Sequence, residues 1–147
     1  MANPIVTVLP HSSKEEGLET PEGLAEWIGT GLKHDGKYLI ATISTKHKAL
    51  CPGSICLFMK NKKIVGEGIL KDFVQKYTSS EVSPVTLKPY DGILVFEPTS
   101  LRRYTRFLEL AEIYEATGKN ISFRSGGNLA WEQYGKCLSL VVKDGFC

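Results

Sequence analysis

Residues 123–131 combine the side-chain types that can hold an unpaired nucleobase. Holding such a base requires an aromatic face on which it stacks and polar groups that bond to its edge or to a phosphate. Arg124 and Asn128 supply the polar groups, Trp131 supplies a large ring, and two glycines between them allow close backbone approach. We predict that Arg124, Asn128 and Trp131 contact nucleic acid. The alternative is a structural turn whose tryptophan fills the core.

Two further groups of basic residues fit the same chemistry. Arg102 and Arg103 follow Ser100, which is predicted to cap a long helix that ends at Gly118. Because cations at a helix start oppose the helix dipole, we predict that these arginines bind phosphate. The alternative is ion pairing with nearby acidic residues, as between Arg106 and Glu109.

The second group lies in residues 44–50, which predict one helical turn. Lys46 and Lys48 are predicted phosphate ligands there, and the Ser44 hydroxyl can bond to a base edge. Tyr90 is a further aromatic candidate for base stacking. The predicted nucleic-acid site therefore contains Ser44, Lys46, Lys48, Tyr90, Arg102, Arg103, Arg124, Asn128 and Trp131.

Catalytic and metal chemistry find little support in the residue spacings. His47 and Cys51 lie four residues apart, which could place a thiol beside a base, but no third orienting group is evident. The three histidines show no metal-ligand spacing, and Cys51 and Cys56 are not a CxxC pair. We expect no metal, no cofactor and reduced thiols.

The charge of the chain is unevenly distributed. Its 147 residues carry a net charge of only +2, yet residues 37–90 contain nine lysines against three acidic residues. A basic middle third is the footprint expected of a surface that meets phosphate. The length predicts a single domain over residues 1–147, without a membrane span. The first residues do not form a secretory signal, so a cytoplasmic location is expected.

The elements that must position these residues follow from local patterns. Thr20-Pro21-Glu22 is a typical helix start, with an apolar face behind it. Two glycines in residues 64–70 indicate a bulge or a close backbone approach. A loop is predicted for residues 75–90, and a short helix around Trp131. The runs predicted as strands are residues 5–9, 37–43, 55–59, 64–70, 92–96, 121–123 and 138–142.

Residues 37–72 resemble the PUA-like superfamily, in particular its EVE and ASCH branches. The similarity lies in an apolar strand, a polar helical turn, a Pro-Gly turn, a second apolar strand, a basic hairpin and a strand of the type Ile-Val-Gly-x-Gly. Ser54 stands where the family often has Asp. The matching residues are Pro52, Gly53, Leu57, Phe58, Ile64, Val65, Gly66 and Gly68.

The resemblance implies an α+β fold, a small PUA-like mixed or antiparallel β-barrel with flanking helices. It also implies binding of nucleic acid, RNA more than DNA, with a modified base in an aromatic-lined pocket. The signature of ASCH-type hydrolases is incomplete here: Gly31 and Lys33 match, but Gly36 replaces Glu and Tyr38 replaces Arg. We therefore expect binding without catalysis.

Two alternatives stay open at the level of the sequence. One is a hydrolase of a modified nucleoside or base on the same fold, with Glu67 paired to Lys33 or Lys46. The other is a protein-interaction module without a nucleic-acid role. The oligomeric state does not follow from the sequence.

Overall fold

The computed structural model describes residues 3–11, 17–74, 82–83 and 87–144, which form a mixed α+β fold around one seven-stranded sheet. The α+β class expected from the sequence is confirmed. The loop predicted for residues 75–90 lies largely outside the described residues. The strands are β1 (Val6–Pro10), β2 (Lys37–Ile40), β3 (Ile55–Lys60), β4 (Lys63–Val74), β5 (Gly92–Phe96), β6 (Arg102–Glu109) and β7 (Gly127–Leu129).

The sheet has the strand order β2-β5-β4-β3-β1-β7, and β6 pairs with β4 beside this path. The first half of the long strand β4 pairs with β3 and β6, and its second half pairs with β5. Among the described strands, no ladder joins β7 to β2, so the sheet is open and the predicted barrel is corrected.

The helices are short except for the last one. Thr20 caps the first helix, since its Oγ1 accepts a hydrogen bond of 3.0 Å from the Gly23 N–H, as predicted. This helix continues through a π-helical turn, Ile28–Leu32, to Gly36, whose φ of +74° ends it. The helices are α1 (Pro21–Trp27), α2 (Lys33–Asp35), α3 (Thr45–Lys48), α4 (Leu110–Thr117) and α5 (Trp131–Asp144).

The two glycines of β4 allow the close approach that the sequence predicts. A Cβ at Gly66 would lie 2.5 Å from the Arg102 carbonyl oxygen, and one at Gly68 would lie 2.6 Å from a Leu101 methyl carbon. The β4 pairing with β6 shifts register between Ile64 and Gly66. β6 therefore lies directly against the β4 backbone.

The helix predicted to begin at Ser100 is wrong over its first half. Ser100 ends a 3₁₀ turn, β6 follows, and only α4 is helical before Gly118, whose φ is +75°. Tyr104 and Leu108 are buried four residues apart, a spacing that fits one helix face and equally one strand face. These residues form a strand because the edge of β4 offers them backbone hydrogen bonds.

The C-terminal part of the fold also differs from its prediction. The strand expected at residues 138–142 is helix, since the helix around Trp131 extends to Asp144. The strand expected at residues 121–123 is a turn, closed by hydrogen bonds between Ser122 and Gly126, and the strand β7 follows it. In α5, Tyr134, Cys137 and Val141 are buried at helical spacing.

The sheet has a separate apolar cluster on each face. β1 alternates between them, with Val6 and Val8 in the cluster that α4 and α5 cover and Leu9 in the cluster that α1 covers. β1 is parallel to β3 and antiparallel to β7. As a result, β1 is an interior strand whose two faces carry different environments.

Candidate functional site

Four aromatic side chains gather on the α1-covered face of the sheet: His11, Trp27, Tyr38 and Phe58. We call them the aromatic group. The ring centroids of Tyr38 and Phe58 are 5.8 Å apart and stacked, and the His11 ring lies 6.1 Å from Trp27 and 5.8 Å from Tyr38. Phe58 is fully buried, whereas the other three are half-buried. The group thus combines one buried ring, that of Phe58, with three rings that solvent partly reaches.

His11 contributes a polar atom without a partner to this group. Its Nδ1 lies 2.9 Å from the Tyr38 hydroxyl, whereas its Nε2 is buried and has no hydrogen-bond partner among the described residues. Burial, together with the charge of Lys60, lowers the pKa of His11 from 6.5 to about 4. The imidazole is therefore neutral at neutral pH, with one nitrogen available to a ligand.

Thr7 supplies a second buried polar atom on the same side of β1. It lies beside Cys56 in β3 and Asn128 in β7, and its hydroxyl has no hydrogen-bond partner in the described part of the chain. Side chains two residues apart on a strand share a face, so Thr7 lies on the face of Leu9 and Phe58. Thr7 is completely buried, whereas Asn128 beside it is exposed.

Lys46 of α3 joins this face of β1 to the turn before β7. Its ammonium donates to the Val8 carbonyl and, at 2.7 Å, to the Ser125 carbonyl. Burial lowers the pKa of Lys46 from 10.5 to about 8. Burial also raises the pKa of the nearby Cys56 thiol to about 12, so the thiol stays neutral.

The local sequence around Lys46 explains how α3 is held. Ser44 and His47 form a capping box, in which the Ser44 N–H donates to His47 Nδ1 at 3.1 Å and the Ser44 hydroxyl lies 3.0 Å from the same atom. Burial and the charge of Lys46 lower the pKa of His47. Its Nδ1 is an acceptor because the Ser44 N–H donates to it. Ser44 therefore has a structural role, and Lys48 lies exposed at the end of the helix.

Two side chains of residues 123–131, the segment predicted to hold a base, lie on the turn of residues 122–126. Arg124 and Phe123 are both exposed, and the Arg124 guanidinium carbon lies 5.4 Å from the Phe123 ring centroid. The Gly126 φ is +72°, and a Cβ there would overlap the Val8 carbonyl oxygen. The turn therefore lies directly on β1.

Arg102 and Arg103 lie in a different part of the molecule. They line a cleft of about 310 Å³ together with Lys33 and Glu26, and Arg103 forms an ion pair of 2.9 Å with Glu26. β6 pairs with β4, which is separated from β1 by β3. The structure therefore does not bring these arginines to Lys46.

The remaining predicted residues lie at the ends of elements. Tyr90 is half-buried, two residues before β5. Trp131 begins α5, is 51% exposed and contacts Tyr134 edge-to-face at 6.3 Å. It does not fill the core. Of the predicted set, Lys46 of α3, Arg124 of the turn and Asn128 of β7 come from three separate elements that meet around the start of β7.

The sequence interpretation did not include Thr7, His11, Tyr38 or Phe58 in the site. It assigned Trp27 to the core, and Trp27 does pack against the apolar cluster on the α1-covered face. Residues 5–9 were predicted as a strand, but nothing in the sequence paired the Thr7 face of that strand with Tyr38. The proposed acid–base pair of Glu67 with a lysine is not formed. Glu67 is buried on the opposite face and accepts hydrogen bonds from Tyr104 (2.7 Å) and Tyr134 (2.9 Å).

Within the described residues, no cluster of His, Cys, Asp and Glu could hold a metal ion, and no helix is long and apolar enough to cross a membrane. Among the described residues, Cys51, Cys56 and Cys137 form no disulfide bond.

Comparison with known proteins gives matches in structure but not in sequence. No protein-family model and no curated protein matches the chain. The ASCH protein of Zymomonas mobilis is 14% identical with a TM-score of 0.62, over 92% of this chain and 95% of its own. Human THYN1, solved with DNA containing 5-methylcytosine, is 17% identical with a TM-score of 0.54, over 92% and 96%.

The Mmi1 YTH domain, solved in complex with RNA, is 11% identical with a TM-score of 0.55, over 97% of this chain and 80% of its own. The ASCH protein, THYN1 and the YTH domain all belong to the PUA-like fold. The likeness extends well beyond residues 37–72, where the sequence resemblance was found. This chain has the PUA-like fold.

Proposed function

We propose that the protein binds nucleic acid by taking one unpaired base into the site formed by the aromatic group, Thr7 and Lys46. One observation carries this proposal: Thr7 Oγ1 and His11 Nε2 are both buried without partners on the aromatic side of β1. Buried polar atoms are nearly always hydrogen-bonded, so both atoms lack a partner that a ligand would supply. Because Thr7 and His11 lie about 13 Å apart along extended chain, the base edge bonds to one of them and another part of the nucleotide bonds to the other.

The aromatic rings and the charges suit the rest of a nucleotide. Stacking of a base on an aromatic ring contributes about 1–3 kcal/mol. Trp27 and Tyr38 are half-buried and offer such surfaces. Lys46 and the exposed Arg124 and Lys48 supply cations for phosphate. Two proteins of similar fold were solved with RNA and with DNA, which supports nucleic acid as the ligand class.

Binding without catalysis is part of this proposal. The carboxylate that a hydrolase would need, Glu67, is held by two tyrosines on the other face of the sheet. RNA as the preferred polymer remains a prediction from the sequence, and the experiment below compares it with DNA.

Fluorescence anisotropy with labelled single-stranded and duplex RNA and DNA, titrated across salt concentration, tests the proposal. We expect single strands to bind more tightly than duplexes, with affinity falling as salt rises. Trp27→Ala and Tyr38→Ala should each weaken binding by about 5- to 150-fold if a base stacks there. Tyr114→Ala is the matched control, because Tyr114 is an exposed aromatic residue on α4.

Failure of every oligonucleotide to bind at low salt would overturn the proposal. Equal binding by the wild type and by correctly folded Trp27 and Tyr38 variants would show that the ligand binds at another surface. Incubation of the wild type with N-acylated nucleosides, followed by chromatography, tests the non-catalytic part, since any turnover would contradict it.

A further inference from the structure

The turn that carries Phe123 is rigidly built. The Ser122 and Gly126 backbones exchange two hydrogen bonds, and the Ser122 hydroxyl accepts from the N–H groups of Arg124 and Ser125, each at 3.2 Å. Lys46 holds the Ser125 carbonyl from the other side. A side chain on such a turn is already positioned before any ligand arrives.

Phe123 is an exposed aromatic residue between two cations. Lys62 Nζ lies 5.1 Å and the Arg124 guanidinium carbon 5.4 Å from the ring centroid, yet 51% of the residue remains exposed. Lys62 comes from the β3–β4 hairpin, where Asn61 and Lys62 have φ of +51° and +67°, so its position is set by a separate element. Solvated aromatic surface flanked by cations suits a nucleotide, whose base stacks and whose phosphates are anionic.

Lys46 places this group next to the proposed base site. Its ammonium contacts both Val8, beside Thr7, and Ser125, two residues from Phe123. Two residues span at most about 7 Å of chain, which brings Phe123 within reach of the nucleotide adjacent to a bound base.

We propose that Phe123, Lys62 and Arg124 bind a second nucleotide of the same strand, so that the ligand is a single-stranded segment of at least two nucleotides. This inference rests on the proposed function and defines its ligand more narrowly. A free nucleoside or a flipped base from a closed duplex would fill the first site only.

The test measures affinity by isothermal titration calorimetry for nucleoside 5′-monophosphates, dinucleotides and decanucleotides of the four RNA bases and their DNA counterparts. For the wild type we expect dinucleotides to bind more tightly than mononucleotides. Phe123→Ala should weaken decanucleotide binding by about 5- to 150-fold and leave mononucleotide binding unchanged. Phe123→Trp should retain the affinity, and Tyr114→Ala should behave like the wild type.

The contribution of Lys62 and Arg124 is tested through the salt dependence of the binding affinity. For a single strand, each phosphate contact contributes about 0.7 to the slope of log affinity against log salt. The double variant Lys62→Ala with Arg124→Ala should therefore reduce the magnitude of that slope by about 1.4.

The outcomes separate the two proposals. If the wild type binds oligonucleotides but Phe123→Ala binds them equally well, the second-nucleotide site is wrong, and the base site stands if the Trp27 and Tyr38 variants weaken binding. If the wild type binds no nucleotide of any length, both proposals fail together. Decanucleotide binding that depends on Phe123 but not on Trp27 or Tyr38 would keep the Phe123 site as a binding surface and overturn the base site next to it.

Discussion

Lys46 and Ser125 are 79 residues apart in the sequence, and the Lys46 ammonium donates a 2.7 Å hydrogen bond to the Ser125 carbonyl. This bond ties α3 to the turn of residues 122–126 across β1. It also fixes a cation at the edge of the proposed base site. The charge of this one side chain therefore affects both the turn and the ligand.

Nucleic-acid affinity should depend on pH through Lys46. Burial lowers its pKa to about 8, so the ammonium is charged below pH 8 and is lost above it. We expect wild-type affinity for a single strand to fall between pH 7 and pH 9. Lys46→Arg should remove this decline, since an arginine keeps its charge over that range. Lys46→Met should bind weakly at both pH values, and a decline that persists in Lys46→Arg would assign the titration to another group.

Acid should destabilise the protein through His11. Its pKa falls from 6.5 to about 4 on folding, so the unfolded chain binds more protons than the folded protein between those values. The free energy of unfolding should consequently fall as pH drops, by about 2 kcal/mol between pH 7 and pH 5 from this group. Urea titrations of the wild type and His11→Gln at both pH values measure the contribution by difference, because His47 and the carboxylates titrate in both proteins.

Removal of a tyrosine hydroxyl should weaken the fold without affecting the ligand site. Tyr104→Phe leaves the buried Glu67 carboxylate with one donor fewer, which should cost about 1–3 kcal/mol of unfolding free energy. Burial raises the pKa of Tyr104, with the Glu67 charge adding to the effect, so its hydroxyl is protonated and donates at every ordinary pH. Urea unfolding measures the loss. A large drop in nucleic-acid affinity of the folded variant would contradict the separation of the two faces.

Gly126→Ala should be far more damaging than Gly118→Ala. Both glycines have φ near +75°, but a Cβ at Gly118 meets no atom within 4 Å whereas one at Gly126 overlaps the Val8 carbonyl oxygen. We expect about 1 kcal/mol of destabilisation at Gly118 and about 2–4 kcal/mol at Gly126. Thermal unfolding of the two variants tests this, and equal losses would mean that the turn moves away from β1 at little cost.

Local patterns predicted the elements whose signals lie within a few residues. The cap at Thr20, the strand at residues 92–96 and the hairpin of β3 with β4 follow from such signals. β6 was not predicted, because the spacing of Tyr104 and Leu108 fits both a helix and a strand. The edge of β4 with which it pairs lies about 40 residues away in the chain. The site face of β1, with Thr7 on the strand and His11 directly after it, was missed for the same reason, since its neighbours come from β3 and β7.

The pairing of β1 with β7 has a consequence for synthesis. Val6 lies opposite Leu129, so the first strand of the chain obtains its second neighbour only when residues 127–129 become available. A ribosome-bound chain that has emerged only as far as residue 120 can form β3 and β4 and pair β1 with β3, but it exposes the other edge of β1. Such an edge is a template for pairing with another chain. The strand that carries Asn128 covers this edge of β1 once residues 127–129 have been made.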